Sequence, residues 1–356
     1  MARTAKTETI ARASDEVRKS FNLTKFKEKK GFGLENTKFK DQTWIPLSKG
    51  WQEATGLQGI PQGHISILRG HSDTGKSSTF WECAASCQKL GILPVLIVTE
   101  LKFDWNFGKS IGFQCEEIVD KETGEITGYD GFFLYADRGT LGTIEDVASY
   151  IADLLDEQAK GNLPYDLCFL WDSVGSVPCR MSVESKSNSN MWNAGALSQQ
   201  FGGFIDQKIV LTRKVTSPYT STLVVINKIW TVTENAFTGQ VGIRNKGGEA
   251  LYYDSSLVVN YGNPNSAGTA KMLVRVAGND LCWGKRTNIS IEKCHLSSVY
   301  HKGKAIMTAE GFIPEAEAEK YKAAHKAEWA EKLGAQADAV TFVEEEETID
   351  SGFTVD

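Results

Sequence analysis

Apolar positions along this chain fall into blocks whose period switches between that of a buried strand and that of a helix. Continuous apolar, β-prone runs occupy His64–Leu68, Val95–Thr99, Phe132–Ala136, Leu167–Trp171 and Thr222–Ile226. Between them, Thr79–Leu90 has helical spacing without Gly or Pro, and Ile144–Ala159 is amphipathic at the same period. Strands that are apolar on both faces and alternate with helices predict an α/β core, a mostly parallel sheet flanked by helices, from Lys49 to about Glu292.

The flanks read differently. Thr9–Phe26 carries Ile10, Ala13, Val17 and Phe21 at helical spacing among basic residues, a stripe too thin to fold without a surface to dock on. Gly31–Gly33 breaks the pattern, and Lys38–Pro46 then reads as an exposed edge strand, a place where Pro46 is tolerated. Three divisions follow: an N-terminal helical arm and edge strand at 1–48, suited to a subunit contact; the core at 49–300; and a C-terminal segment at 301–356. The last holds a Glu/Ala/Lys-rich surface helix at Glu315–Leu333 and an acidic tail expected to be disordered.

A formal net charge of −6 means that any nucleic-acid surface must be local. Charge is polarised along the chain. Residues 1–40 hold eleven Lys/Arg against five Asp/Glu, whereas residues 341–356 hold six acidic residues and no basic one. The seven cysteines form no C-x-x-C pair and have no His at zinc spacing; Cys83 and Cys87, one helical turn apart, read as helix packing. Unpatterned cysteines in odd number suggest a reducing compartment. The first residues are charged, without an apolar leader, and no run is long enough to span a bilayer. The expected location is the cytoplasm, with no membrane partner.

Chemistry concentrates in Gly70–Ser77, which reads G-x-x-x-x-G-K-S, the Walker A phosphate loop, between a strand and a helix. Gly70 and Gly75 let the backbone turn its N–H groups toward phosphate oxygens, and the helix N-terminus adds favourable partial charge. Ser72, Asp73, Thr74, Gly75, Lys76, Ser77 and Ser78 are the expected nucleotide contacts. Lys76 would reach the β/γ-phosphates and Ser77 would hold Mg²⁺. Hydrolysis also needs a carboxylate on the Mg²⁺ side and a group that activates water. Asp172, closing the run Leu167–Trp171, fits the first; Glu100, closing the strand after the loop helix, fits the second.

With these residues in place the sequence resembles the RecA-type strand-exchange ATPases, and among them UvsX-like phage recombinases, over roughly Ala54 to Gly262. Ala54–Gly63 looks like the lead-in to that family's first core strand, and Asp172-Ser173 matches its Asp-Ser after the Walker B run. Gly247-Gly-Glu-Ala-Leu-Tyr252 resembles the G-G-x-A-L segment that closes its second DNA-binding loop. The resemblance implies a RecA-like P-loop core, with ATP and Mg²⁺ as cofactors and Glu100 as the water-activating residue. It implies adenine contacts at Asp104 and Phe107. The position of the γ-phosphate sensor, usually Gln in the family, is held here by Lys228, which suits either phosphate sensing or a DNA-facing role, and basic residues reaching a neighbour's ATP should lie near Arg275, Lys285 or Arg286.

Two long polar stretches, Met181–Asn190 and Trp230–Gly248, follow the Asp172 and Asn227 strands and take the place of the family's DNA loops. Arg180, Met181 and Lys186 in the first, and Trp230, Phe237, Arg244, Lys246, Gly247 and Gly248 in the second, suit phosphate and base contacts. The implied partners are single- and double-stranded DNA, further copies of the chain in a helical filament, and a single-strand-binding protein or loading factor. Such a protein, if phage-encoded, would act in the host cytoplasm. The phosphate loop alone leaves a ring-forming helicase or a nucleotide-gated scaffold open.

Overall fold

The computed structural model describes residues 14–31, 38–100, 103–187, 190–235, 240–245, 250–262, 269–276, 278–298 and 301–346, with backbone alone at 15, 17, 190, 230–235, 240–245 and 250. Residues up to Lys40 form one unit with Lys214–Thr216, and the remainder of the chain forms the other. In the first unit the expected single helix is two, α1 (Asp15–Ser20) and α2 (Leu23–Lys29). Asn22 divides them, because its side chain accepts the Lys25 N–H at 2.9 Å and so caps α2. The Phe21 and Phe26 rings lie 5.4 Å apart across this cap, and α2 buries no residue. Phe39 bridges Lys214, so the expected strand at Lys38–Pro46 is regular only at its end.

That end is β1 (Trp44–Pro46), which pairs antiparallel with β2 (Gly59–Pro61) around α3 (Lys49–Thr55). Next come β3 (Ile65–Gly70), α4 (Lys76–Leu90), β4 (Leu93–Val98) and α5 (Trp105–Ile111). A small hairpin of β5 (Glu116–Val119) and β6 (Ile126–Asp130) leads to β7 (Leu134–Asp137), α6 (Ile144–Ala159) and β8 (Leu167–Asp172). α7 (Arg180–Glu184) precedes a helical run of α8 (Asn190–Leu197), π-helical Ser198–Ile205 and α9 (Asp206–Leu211). Then follow β9 (Ser221–Asn235), β10 (Gln240–Asn245), α10 (Ala250–Asp254) and β11 (Leu257–Tyr261). The chain continues through β12 (Thr269–Val276), β13 (Asn279–Cys294), β14 (Lys302–Thr308), β15 (Gly311–Pro314), α11 (Ala318–Lys332) and β16 (Thr341–Glu346).

Six strands in the order β11-β3-β9-β8-β4-β7 are parallel, and β13, β14 and β15 extend this sheet antiparallel beyond β11. The apolar strand runs bury both faces at period two. Leu167, Phe169 and Trp171 of β8, with Leu223 and Val225 of β9, pack with α6 and Phe201. Cys168, Leu170, Val224 and Ile226 face the opposite cluster with Phe80, Cys83 and Cys87 of α4. Glu82 fixes α4 from its other side. Its buried carboxylate accepts the Ser48 and Phe312 N–H groups at 3.0 and 2.7 Å, and burial pushes its pKa up against those donors.

The C-terminal segment departs from expectation in part. α11 lies at the surface as expected, with Glu319, Lys320, Glu328 and Glu331 exposed, but it docks one face: Trp329 and Ala330 are buried, and Trp329 stacks on Trp283 of β13 with ring centroids 5.5 Å apart. Thr341–Glu346, expected within a disordered tail, form β16 on the edge of β12. Phe342 packs against the Trp329 cluster while Glu344 and Glu345 pair with Arg286 and Arg275, so the acids are held by cations. Residues 347–356 lie outside the described residues. The polar stretch after Asn227 is likewise a hairpin in its described part, β9 against β10 with Trp230 opposite Arg244. Alternating Thr and Val at 231–233 and Val241 and Ile243 carry β propensity that outweighs the stretch's polarity. α7 occupies the start of the other expected loop.

Candidate nucleotide-binding site

Strand register brings the expected catalytic groups to one edge. β3 beside β9 sets Gly70 opposite Lys228 and Arg69 opposite Asn227, while β4 beside β8 sets Val98 opposite Asp172. The phosphate loop, Asp172 and Glu100 therefore sit at the carboxyl ends of β3, β8 and β4, with Lys228 level with them where β9 runs on past the edge, the place where open α/β sheets bind ligands. Gly75 opens α4 at φ 108°, and a Cβ there would meet the Phe312 ring at 2.7 Å. A Cβ on Gly70 would meet the Tyr261 carbonyl oxygen at 2.3 Å, so both loop glycines are required by close approach.

Lys76 lies inside the loop, 5% exposed, and its ammonium donates to the His71 carbonyl. Burial pushes Lys76 down to about 8, with Lys228 adding repulsion and Asp172 and Glu100 opposing. Ser77 Oγ donates to Asp172 Oδ2 at 3.3 Å. Burial first, then the Glu100 carboxylate, pushes Asp172 up to about 6. Glu100 accepts from Lys228 Nζ and from Ser173 Oγ, the latter at 3.3 Å. The Thr99 and Glu100 N–H groups both donate to the Asp172 carbonyl, at 2.8 and 3.1 Å, which fixes the two carboxylates as neighbours. Asn227 Oδ1 is buried without a hydrogen-bond partner among the described residues.

This donor set fits a nucleotide phosphate with a divalent cation. A phosphate would compensate the buried Lys76 ammonium. A cation held by Ser77 and Asp172 would favour the ionised carboxylate that burial now disfavours.

The remaining expected residues divide. Ser72 and Asp73 are exposed at the loop tip, Asp73 at φ 57°, whereas Thr74 and Ser78 are buried beneath it. Asp104 caps α5 by accepting the Asn106 and Phe107 N–H groups at 2.9 and 3.2 Å, and Phe107 packs partly buried against the core. Arg180 is ion-paired to Asp146 at 3.2 Å; Met181 and Lys186 are exposed. Trp230 and Arg244 are placed by backbone only, and Phe237, Lys246, Gly247 and Gly248 lie outside the described residues. Two contributors escaped the sequence reading. Ser173 orients Glu100, for which the Asp172-Ser173 pair was the available signal, and Asn227 carries the unmet acceptor one residue before Lys228.

Comparison with known proteins adds a partial likeness. No protein-family model matches the chain. A stretch of 75 residues is 35% identical to Protein RecA of two Ureaplasma parvum serovar 3 strains, covering 20% of this chain and 22% of that protein. Protein RecA of Nitratidesulfovibrio vulgaris is 33% identical over 72 residues, 20% of each chain. The chain thus spans about a fifth of the length of the curated relatives it matches. The parallel centre of the sheet, flanked by helices, is compatible with a RecA-like core. Among the described residues no helix is long and apolar enough to cross a membrane.

Proposed function

We propose that the chain is an ATP-dependent recombinase that assembles in a helix on single-stranded DNA, pairs it with duplex and exchanges strands. The observation that carries this reading is the register gathering Lys76, Ser77, Glu100, Asp172 and Lys228 at one sheet edge. The partial likeness to RecA supports the choice among phosphate-loop ATPases. Mg–ATP supplies the electrophilic phosphorus and the divalent charge. Lys76 and the loop N–H groups hold its phosphates, Ser77 and Asp172 hold the cation, and Glu100 orients and polarises water. Lys228, paired to Glu100, exchanges that partner for a phosphate oxygen and so releases Glu100 to the water. Asp104 and Phe107 take the base. Arg180, Met181 and Lys186, with the β9–β10 hairpin and the Lys246–Gly248 segment, contact DNA.

Electron microscopy with single-stranded DNA and a non-hydrolysable ATP analogue tests the reading. Helical filaments are expected; closed rings would favour a ring motor, and particles indifferent to DNA a scaffold.

The two shifted groups set a pH window. Asp172 must be unprotonated to hold a cation, so Mg–nucleotide affinity falls as pH drops below about 6, by up to about tenfold per unit. Lys76 must stay protonated, and above about 8 affinity falls again by up to about tenfold per unit, because the bound phosphate holds a proton that the free protein has lost. Equilibrium titration with a fluorescent nucleotide should show both limbs, and Asp172→Asn should remove the acidic one.

The acidic strand offers a second test. Glu344→Gln with Glu345→Gln removes one carboxylate partner each from Arg286 and Arg275, which keep Glu315 and Asp280, while keeping Phe342 in its core. Two fewer carboxylates repel the DNA phosphates less, and with exposed charge interactions worth up to about 1 kcal/mol each, DNA affinity should rise roughly three- to tenfold at low salt. The gain should disappear at high salt, where exposed charges are screened. A gain that persists there would point to a rearranged strand instead.

A further inference from the structure

Three thiols, two from one helix and one from a distant strand, meet beneath the phosphate-binding edge. Cys83 and Cys87 lie one turn apart on α4, so both reach the sheet, and Cys168, the second residue of β8, faces them. All three are fully buried and free of disulfide. Their sulfurs all lie within 4.8 Å of one another, with Cys83 and Cys168 at 4.0 Å. Sulfurs placed about 2.3 Å from a central ion in a trigonal plane stand about 4.0 Å apart, so this trio needs little movement to close on one.

We propose that Cys83, Cys87 and Cys168 form a three-coordinate thiolate site for a soft monovalent cation, Cu(I). Among the described residues no His, Asp or Glu joins the cluster as a fourth donor, and zinc sites built to hold structure take four. The flanking side chains, Phe80, Ala84, Leu96, Leu170 and Val224, belong to the same apolar cluster and supply no oxygen or nitrogen ligand. Sulfur-only ligation selects soft ions, Cu(I) foremost among those content with three donors. Burial disfavours a free thiolate, so a sulfur ligates as thiolate only by giving up its proton when the cation binds. Each sulfur that ligates as thiolate gives its proton to solvent, which makes uptake stronger as pH rises.

The site also has a mechanical position. α4 begins with Lys76 and Ser77, and β8 ends with Asp172. An ion shared by Cys83, Cys87 and Cys168 bolts the helix of the phosphate loop to the strand of the Mg²⁺-side carboxylate. The sequence concealed it because Cys168 stands 85 residues from Cys83. The assignment does not depend on the strand-exchange reading, since it uses no residue of the nucleotide site.

The test is anaerobic titration of the full chain with Cu(I) against a chromophoric Cu(I) chelator, followed by X-ray absorption spectroscopy of the loaded protein. Retention of one Cu(I) per chain with a shell of three sulfurs is expected. Cys83→Ala, Cys87→Ala and Cys168→Ala should each weaken retention by roughly tenfold or more, whereas Cys282→Ala, at an exposed thiol, should leave it unchanged. Failure of the wild-type chain to hold Cu(I) against the chelator would overturn the proposal. So would a shell containing nitrogen or oxygen, or retention undiminished in Cys168→Ala. The wild-type spectrum decides even if an alanine variant does not fold.

Discussion

Lys76→Ala is expected to abolish Mg–nucleotide binding while leaving the fold intact. The ammonium sits at 5% exposure inside the loop, and the other cation at this edge, Lys228, is paired to Glu100. Removing one partner of a buried charge contact costs about 2–5 kcal/mol, roughly a thirtyfold to several-thousandfold loss of affinity. The folded chain itself loses little. Burial already disfavours the charged form of Lys76, and the group left behind, the His71 carbonyl, can turn to water at the partly exposed loop. Calorimetry on the variant, alongside circular dichroism to show an unchanged fold, checks both halves. Binding within about threefold of wild type would mean that the loop N–H groups alone hold the phosphates.

Glu100→Gln should separate binding from turnover. The amide keeps the size of Glu100 and can still accept from Ser173, but it cannot polarise water as a carboxylate does, so hydrolysis should fall about 10²- to 10⁴-fold. Nucleotide affinity should hold or rise, because Lys228 loses its carboxylate partner and is left for the phosphate. Single-turnover phosphate release measured beside equilibrium nucleotide affinity gives the two quantities independently. Turnover near the wild-type rate would move water activation to another group. A joint loss of affinity and turnover would make the Glu100–Lys228 pair a structural element.

The site was more legible than the architecture around it. A phosphate loop declares itself because its glycines, Lys76 and Ser77 are neighbours in sequence and lie between a strand and a helix. Asp172 and Glu100 were legible for a related reason: each closes an apolar run, and parallel strands bring such ends to one edge. Contacts made across long separations were not. Trp329 looked like a residue on a Glu/Ala/Lys surface helix because its partner, Trp283, sits on another strand. The acidic stretch looked disordered because its cations, Arg275 and Arg286, come from β12 and β13, and the Thr341–Val343 start of β16 was outweighed by the run of glutamates. The hairpin after Asn227 was read as loop because polarity was weighed above β propensity. The Cys83–Cys87–Cys168 cluster was invisible for the same reason as Trp329: only two of its members share an element.

The central claim is that the gathered edge hydrolyses ATP in step with DNA. It is tested most directly by phosphate release from Mg–ATP with and without single-stranded DNA. A slow basal rate that rises on adding single-stranded DNA, and that Glu100→Gln removes under both conditions, is the predicted result. A rate that single-stranded DNA leaves unchanged would contradict it.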